Sequence, residues 1–136
     1  MKLKLILAAV AACAMTAPAV GQEAPRAIVS LYHAAPGQHI ALLKWMAAQD
    51  RAAVAAGVAA AQIYVHMSGD SWDYLVINPD TTKEQDDAIE AQAKKMGLTT
   101  GPRAGMEFRT MIASHTDTLS AGPQTAAQIL ARLGEK

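Results

Sequence analysis

The stretch AAQIYVHMSGDSWDYLVIN, residues 60 to 78, constrains the fold more than any other part of the chain. Its first eight residues alternate like a strand, Ser68-Gly69-Asp70-Ser71 supply a turn, and WDYLVIN is rich in aromatic and β-branched side chains. Two such runs joined by a turn read as a β-hairpin. Whatever flanks the hairpin then decides the fold class.

On its N-terminal side AIVSLYH, residues 27 to 33, has the composition of a strand, ended by Ala34-Ala35-Pro36-Gly37. A helix follows, with Pro36 in its first turn, Ile40, Leu43, Ala47, Asp50 and Val54 at helical spacing, and Gly57 in the left-handed position after its last turn. On the C-terminal side, Asp80, Thr81 or Thr82 caps a second helix, and Thr82 with Gln85 has capping-box spacing. Asp86 and Asp87 suit its N-terminal half, and Lys94, Lys95 and Gly97 mark its end. The connection GLTTGPRAG leads to MEFRTMIASH, residues 106 to 115, read as a fourth strand. Gly122-Pro123 then opens a short helix in which Ile129, Leu130 and Leu133 share a face and Gly134 is the stop.

The predicted order is β-α-β-β-α-β with a C-terminal helical tail: an α+β, ferredoxin-like arrangement of an antiparallel four-stranded sheet with two helices on one face. Two helices cannot cover both faces. The strands are apolar at nearly every position, so a second copy of the chain is expected on the open face as a homodimer. Residues 26 to 119 form the expected core and 120 to 136 the tail.

The N-terminal MKLKLILAAVAACAMTAPAVGQ has Lys2 and Lys4, an apolar run from Leu5 to Met15 and small residues around Pro18. This is the layout of a secretion signal over residues 1 to 21, with cleavage after Ala19 or Gly21. The run is shorter than the roughly 20 residues a membrane-spanning helix needs, so a periplasmic or secreted domain of residues 22 to 136 is expected, with no membrane attachment after cleavage. Cys13, the only cysteine, lies in that signal. Val10-Ala11-Ala12-Cys13 loosely resembles a lipoprotein box, the alternative route out of the cytoplasm. With an ordinary signal the mature domain has no thiol, hence no disulfide and no Cys nucleophile. Twelve basic and twelve acidic residues balance over the chain, and the absence of a basic run argues against nucleic acid as a partner.

The element order, the strand carrying YHAAPG before a long helix, and the GDSWDYLVI hairpin together resemble the dimeric α+β barrel superfamily, over roughly residues 26 to 119. That superfamily includes antibiotic-biosynthesis-type monooxygenases, EthD-like and stress-responsive barrel domains, and chlorite dismutase and Dyp peroxidase relatives. The resemblance implies that two sheets pack into a barrel whose interior is a ligand pocket or a packed core.

Strand alternation selects the side chains for that interior. Val29 and Leu31 are expected to face the helices, and Tyr32, Tyr64, His66, Trp72 and Tyr74 to face away with Ser30 and Val76. On the fourth strand Phe108, Thr110, Ile112 and Ser114 are assigned to the helices, leaving Arg109, Met111 and His115 with the aromatic set. Aromatics with a few convergent polar groups are what a small-molecule site usually presents; the same residues also suit a packed dimer core. His115 and His66 are the candidate proton carriers, with Asp117 orienting His115; Tyr32, Tyr64, Trp72, Tyr74, Arg109 and Met111 are the candidate ligand contacts. Asp117 is equally suited to capping a turn ahead of Gly122-Pro123, and His39 reads as a solvated residue of a first helical turn.

No His-x-His or His-x-x-x-His spacing brings His33, His66 and His115 together, so neither a metal nor a haem is expected, although the resemblance to chlorite dismutases leaves room for a haem. Two classes of function follow. One is a secreted barrel that binds a small apolar or aromatic molecule, or that is only a structural dimer. The other is a cofactor-independent monooxygenase or isomerase working by His and Tyr acid–base chemistry.

Overall fold

A computed structural model describes residues 23 to 69 and 71 to 135. The expected signal segment, with Cys13, lies outside the described residues, as does Asp70 of the hairpin turn. In chain order the elements are β1 (Arg26–Ala34), α1 (His39–Ala55), β2 (Gln62–Val65), β3 (Tyr74–Pro79), α2 (Lys83–Lys95), α3 (Pro102–Met111), β4 (Ile112–Ala121) and α4 (Ala126–Leu133). The four strands form one sheet in the order β2-β3-β1-β4, antiparallel at every pairing. This is the ferredoxin-like α+β topology, with the expected C-terminal helix after it.

The locally encoded features take the expected form. β2 and β3 are the two arms of the hairpin. Thr82 caps α2 by accepting from the Gln85 backbone N–H, while the Gln85 side chain accepts from the Thr82 N–H. Gly134 closes α4 in the left-handed conformation at φ 76°.

Three expectations are corrected. The fourth strand was placed over residues 106 to 115, but residues 102 to 111 form helix α3 and the strand runs over 112 to 121. Pro102 occupies the first turn of α3, where its missing N–H costs nothing. Ala104, Phe108 and Met111 then turn inward at helical spacing while Arg103, Met106 and Arg109 stay exposed. Arg109 and Met111 are therefore helical residues.

The second correction concerns α1. Ile40 and Val54, two of the apolar residues noted at helical spacing, are 64 % and 57 % exposed, and the helix buries Leu42, Met46 and Ala52 instead. The third is the facing of the sheet. Leu42 and Met46 pack with Tyr74, Val76 and Met111, flanked by Tyr32, Ile63 and Phe108. Cross-strand partners share a face, and Tyr32 pairs with Tyr74 and His115, and Ser30 with Val76 and Asp117. Tyr32, Ser30, Tyr74, Val76, His115 and Asp117 are thus on the helix side, the reverse of the expected assignment.

Val29, Leu31, Leu75 and Ile77 occupy the other face with Tyr64, Thr116 and Thr118. No helix among the described residues lies on it. Tyr64 alone of the expected aromatic set is registered to this open side, opposite Leu75, and it is 54 % exposed.

Candidate functional site

Ser30 is the one polar residue among the described residues that is buried outright, at 1 % exposure. It sits mid-way along β1, a strand otherwise apolar through Ala27 to Leu31. A buried hydroxyl needs a partner, and Ser30 Oγ donates to Asp117 Oδ1 at 2.6 Å across the β1–β4 pairing. The other carboxylate oxygen, Asp117 Oδ2, lies 3.3 Å from His115 Nε2. Asp117 and His115 are two residues apart on one strand, which puts them on the same side of the sheet. The line Ser30–Asp117–His115 therefore runs from the core towards solvent, where the last two side chains are 49 % and 36 % exposed.

Aromatic rings hold the imidazole on the other side. Tyr32 is stacked on His115 at 5.7 Å between centroids and 15° between planes, and Phe108 meets it edge-on at 5.7 Å. Phe108 also contacts Tyr32 at 5.8 Å and Trp45 at 4.9 Å. Each element contributes by a simple rule. β1 and β4 bring Tyr32 and His115 opposite one another in register, α3 swings Phe108 over them, and α1 supplies Trp45 one residue before the buried Met46. Burial pushes the Tyr32 hydroxyl above its usual pKa; a hydrogen bond with Ser30 opposes this, and the charge of Asp117 adds to it.

Chemically, a carboxylate held on one imidazole nitrogen orients the ring, the arrangement a general base or acid requires. With Asp117 on Nε2, Nδ1 is the nitrogen left to meet another molecule. The neighbouring rings offer flat apolar surface for a planar group.

Two of the expected site residues form a separate pair. His66 and Trp72 pack at 5.2 Å where β2 gives way to the turn, and His66 Nε2 is buried with no hydrogen-bond partner. β2 and β4 are the two edges of the sheet, three strand spacings or about 14 Å apart, so His66 does not converge on His115. Tyr74 is buried at 5 % exposure, and its hydroxyl lies 3.2 Å from His39 Nδ1. Its pKa is raised by burial and by the charge of Asp73. His39 is exposed, as expected, and is also tied to a core tyrosine. Arg109 is exposed on the last turn of α3.

Met111 borders a groove of about 310 Å³ between α1 and the segment joining α2 to α3, lined also by Lys44, Trp45, Gln49, Leu98, Thr99 and Glu107. His115 is not among its walls; Trp45, which is, packs against Phe108 with the ring planes 34° apart. Among the described residues no group of His, Cys, Asp or Glu side chains has the arrangement of a metal site. No helix among them is long and apolar enough to cross a membrane.

The residues that the sequence reading did not single out are Ser30, Trp45, Phe108 and His39. Ser30 alone carried a visible signal, as a hydroxyl in the middle of an apolar strand.

Asp117, which also suited a turn cap, is in the body of β4 and bonded to its neighbour strand. No family model matches the sequence, and no curated protein matches it. Among solved structures the chain is similar to a dimeric protein of unknown function and ferredoxin-like fold from Bacteroides fragilis, at 15 % identity and a TM-score of 0.39, over 71 % of this chain and 95 % of that one.

Proposed function

We propose that this protein binds a small planar, largely apolar molecule against the Tyr32–Phe108–His115 surface and that His115, oriented by Asp117, moves a proton to or from it. The observation that carries the reading is the continuous line from buried Ser30 through Asp117 to a half-exposed imidazole. Ser30 is the one buried polar residue among the described residues, and it is also the support of the His–Asp pair. The reaction class is acid–base chemistry on an enolisable or phenolic compound, as in a cofactor-independent isomerase or monooxygenase. Arg109, Tyr64 and His66 play no part in it, and Tyr74 serves the core.

The test is a screen of phenols and small conjugated ketones by the NMR signals of the His115 ring. Ligands that move these signals should bind at least ten-fold more weakly to His115→Ala and several-fold more weakly to Asp117→Asn, with the fold unchanged. Compounds that bind equally well to His115→Ala would refute the site.

A second reading concerns assembly and rests on its own observation, the uncovered apolar face of Val29, Leu31, Leu75 and Ile77. We propose that two chains pair through this face. Because the imidazole site is on the other side of the sheet, ligand binding and pairing are separable. Leu75→Glu, or Tyr64→Asp beside it, should give monomers by light scattering that still bind whatever His115 binds.

The place of action proposed is outside the cytoplasm, on the strength of Lys2, Lys4 and the apolar run from Leu5 to Met15. N-terminal sequencing of exported protein should begin at Val20 or Gln22, whereas an acylated Cys13 would substitute a lipid anchor.

A further inference from the structure

The groove beside Met111 is built from three locally specified pieces. Ala41, Lys44, Trp45, Ala48 and Gln49 fall at i, i+3, i+4, i+7 and i+8, one face of α1. Glu107 and Met111, four residues apart, share a face of α3. The third piece is fixed by the end of α2. There the Gly97 N–H donates to the Lys94 carbonyl and the Leu98 N–H to the Ala93 carbonyl, with Gly97 at φ 72°. This left-handed closure calls for glycine, and it sets Leu98 and Thr99 at the groove.

The space is there because Ala41 and Ala48, one turn before and one turn after Trp45 on the same face, carry only a methyl group each. Its apolar lining is buried Met111 with half-buried Trp45 and Leu98. At about 310 Å³ it is at the lower end of the range for small-molecule sites. An indole and a thioether together suit an apolar side chain or ring.

Two opposite charges border this apolar space from different helices, Lys44 on α1 and Glu107 on α3. Both are exposed, and neither has an ion-pair partner among the described residues. A ligand with a single charge would meet its like as well as its opposite in one small groove, which selects against it. A molecule that carries one charge of each sign beside an apolar body is complementary to all three parts.

We propose that this groove binds a free α-amino acid with an apolar side chain, its carboxylate towards Lys44, its ammonium towards Glu107 and its side chain against Trp45 and Met111. Because His115 is not among the walls, the proposal does not depend on the reading of the imidazole surface.

L-Phenylalanine is the probe, titrated into the full chain and followed by the NMR signals of the Trp45 indole N–H and the Leu98 and Thr99 amides. These should shift together and saturate. Phenethylamine, which lacks the carboxylate, and 3-phenylpropionate, which lacks the ammonium, should each bind about three-fold more weakly, the scale of an ion pair at an exposed site. Lys44→Met should erase the advantage of phenylalanine over phenethylamine and keep that over 3-phenylpropionate; Glu107→Gln should do the reverse. Both substitutions are at exposed positions, and a dispersed spectrum verifies the fold. Ala48→Leu, which fills the trough, should abolish the shifts, whereas His115→Ala should leave them unchanged. Absence of shifts at millimolar phenylalanine, or equal binding of the three compounds, would overturn the proposal. So would shifts confined to Tyr32 and His115 and lost in His115→Ala, since the probe would then lie on the imidazole surface. Unchanged groove binding in His115→Ala upholds the groove whether or not His115 proves to bind a ligand of its own.

Discussion

Ser30 and Asp117 face one another across neighbouring strands, and the 2.6 Å bond between them joins the core of the protein to the His115 imidazole. The hydroxyl is buried and the carboxylate is half in water, so the pair links two environments that usually have little to do with each other.

Removing the hydroxyl should therefore be felt twice. Ser30→Ala is expected to lower stability by about 1 kcal/mol, below the range for a bond to a fully buried charged acceptor because Asp117 is half exposed. It should also loosen His115, seen as averaged NMR signals of its ring and a several-fold weaker ligand affinity. Denaturant unfolding checks the first effect, and an unchanged His115 would show that Asp117 holds it unaided.

Alkali should unfold the protein through its tyrosines. Tyr32 and Tyr74 have pKa values raised in the folded state above the ordinary value of 10.0. The folded chain thus holds protons that the unfolded chain has released once the pH exceeds that value, and stability falls as pH rises further. The stabilisation is fully present below about pH 10. Tyr74→Phe, which keeps the ring and removes the titration, should flatten the decline; a decline of the same steepness in both Tyr74→Phe and Tyr32→Phe would refute the assignment.

Leu42 is fully buried beneath the sheet, among Met46, Tyr74, Val76 and Met111. Leu42→Ala should cost about 3 kcal/mol, from lost burial and the cavity left behind. It should leave pairing intact at temperatures where the chain is folded, since Leu42 is on the side away from the proposed interface. Thermal unfolding and light scattering on the same sample measure both.

Thr82→Ala removes one half of the capping box of α2 and should cost about 1 kcal/mol. The loss should appear as faster amide hydrogen exchange in the first turn of α2. No change at His115 is expected, because α2 does not reach the imidazole.

The capping box at Thr82 and Gln85 was readable because both partners are three residues apart, and the hairpin because its turn is continuous with its strands. The facing of β1 was not. Val29 and Leu31 are more apolar than Ser30 and Tyr32, so composition puts the first pair inside; what buries Ser30 is a carboxylate 87 residues away, which no local pattern reveals. Residues 106 to 111 went astray for another reason. Met, Phe and Thr suit a strand as well as a helix, and Pro102 at the helix start was the only decisive signal. His115 and Asp117 were singled out together, but their supports Trp45 and Phe108 come from helices whose orientation depends on tertiary packing.

β4 lies at the edge of the sheet, and its Thr116-Asp117-Thr118 centre offers no hydrophobic contrast between its two sides. A strand of this kind is prone to slippage, and one residue of slip would turn His115 and Asp117 out onto the opposite face. The hydrogen bond from Ser30 is the lock against that error: the hydroxyl donates to the Asp117 carboxylate and would find a threonine one step to either side. The same hydroxyl that supports the imidazole thus also counts residues, and a one-residue insertion or deletion between Met111 and Asp117 should be tolerated far less well than the polar, exposed sequence of the strand suggests.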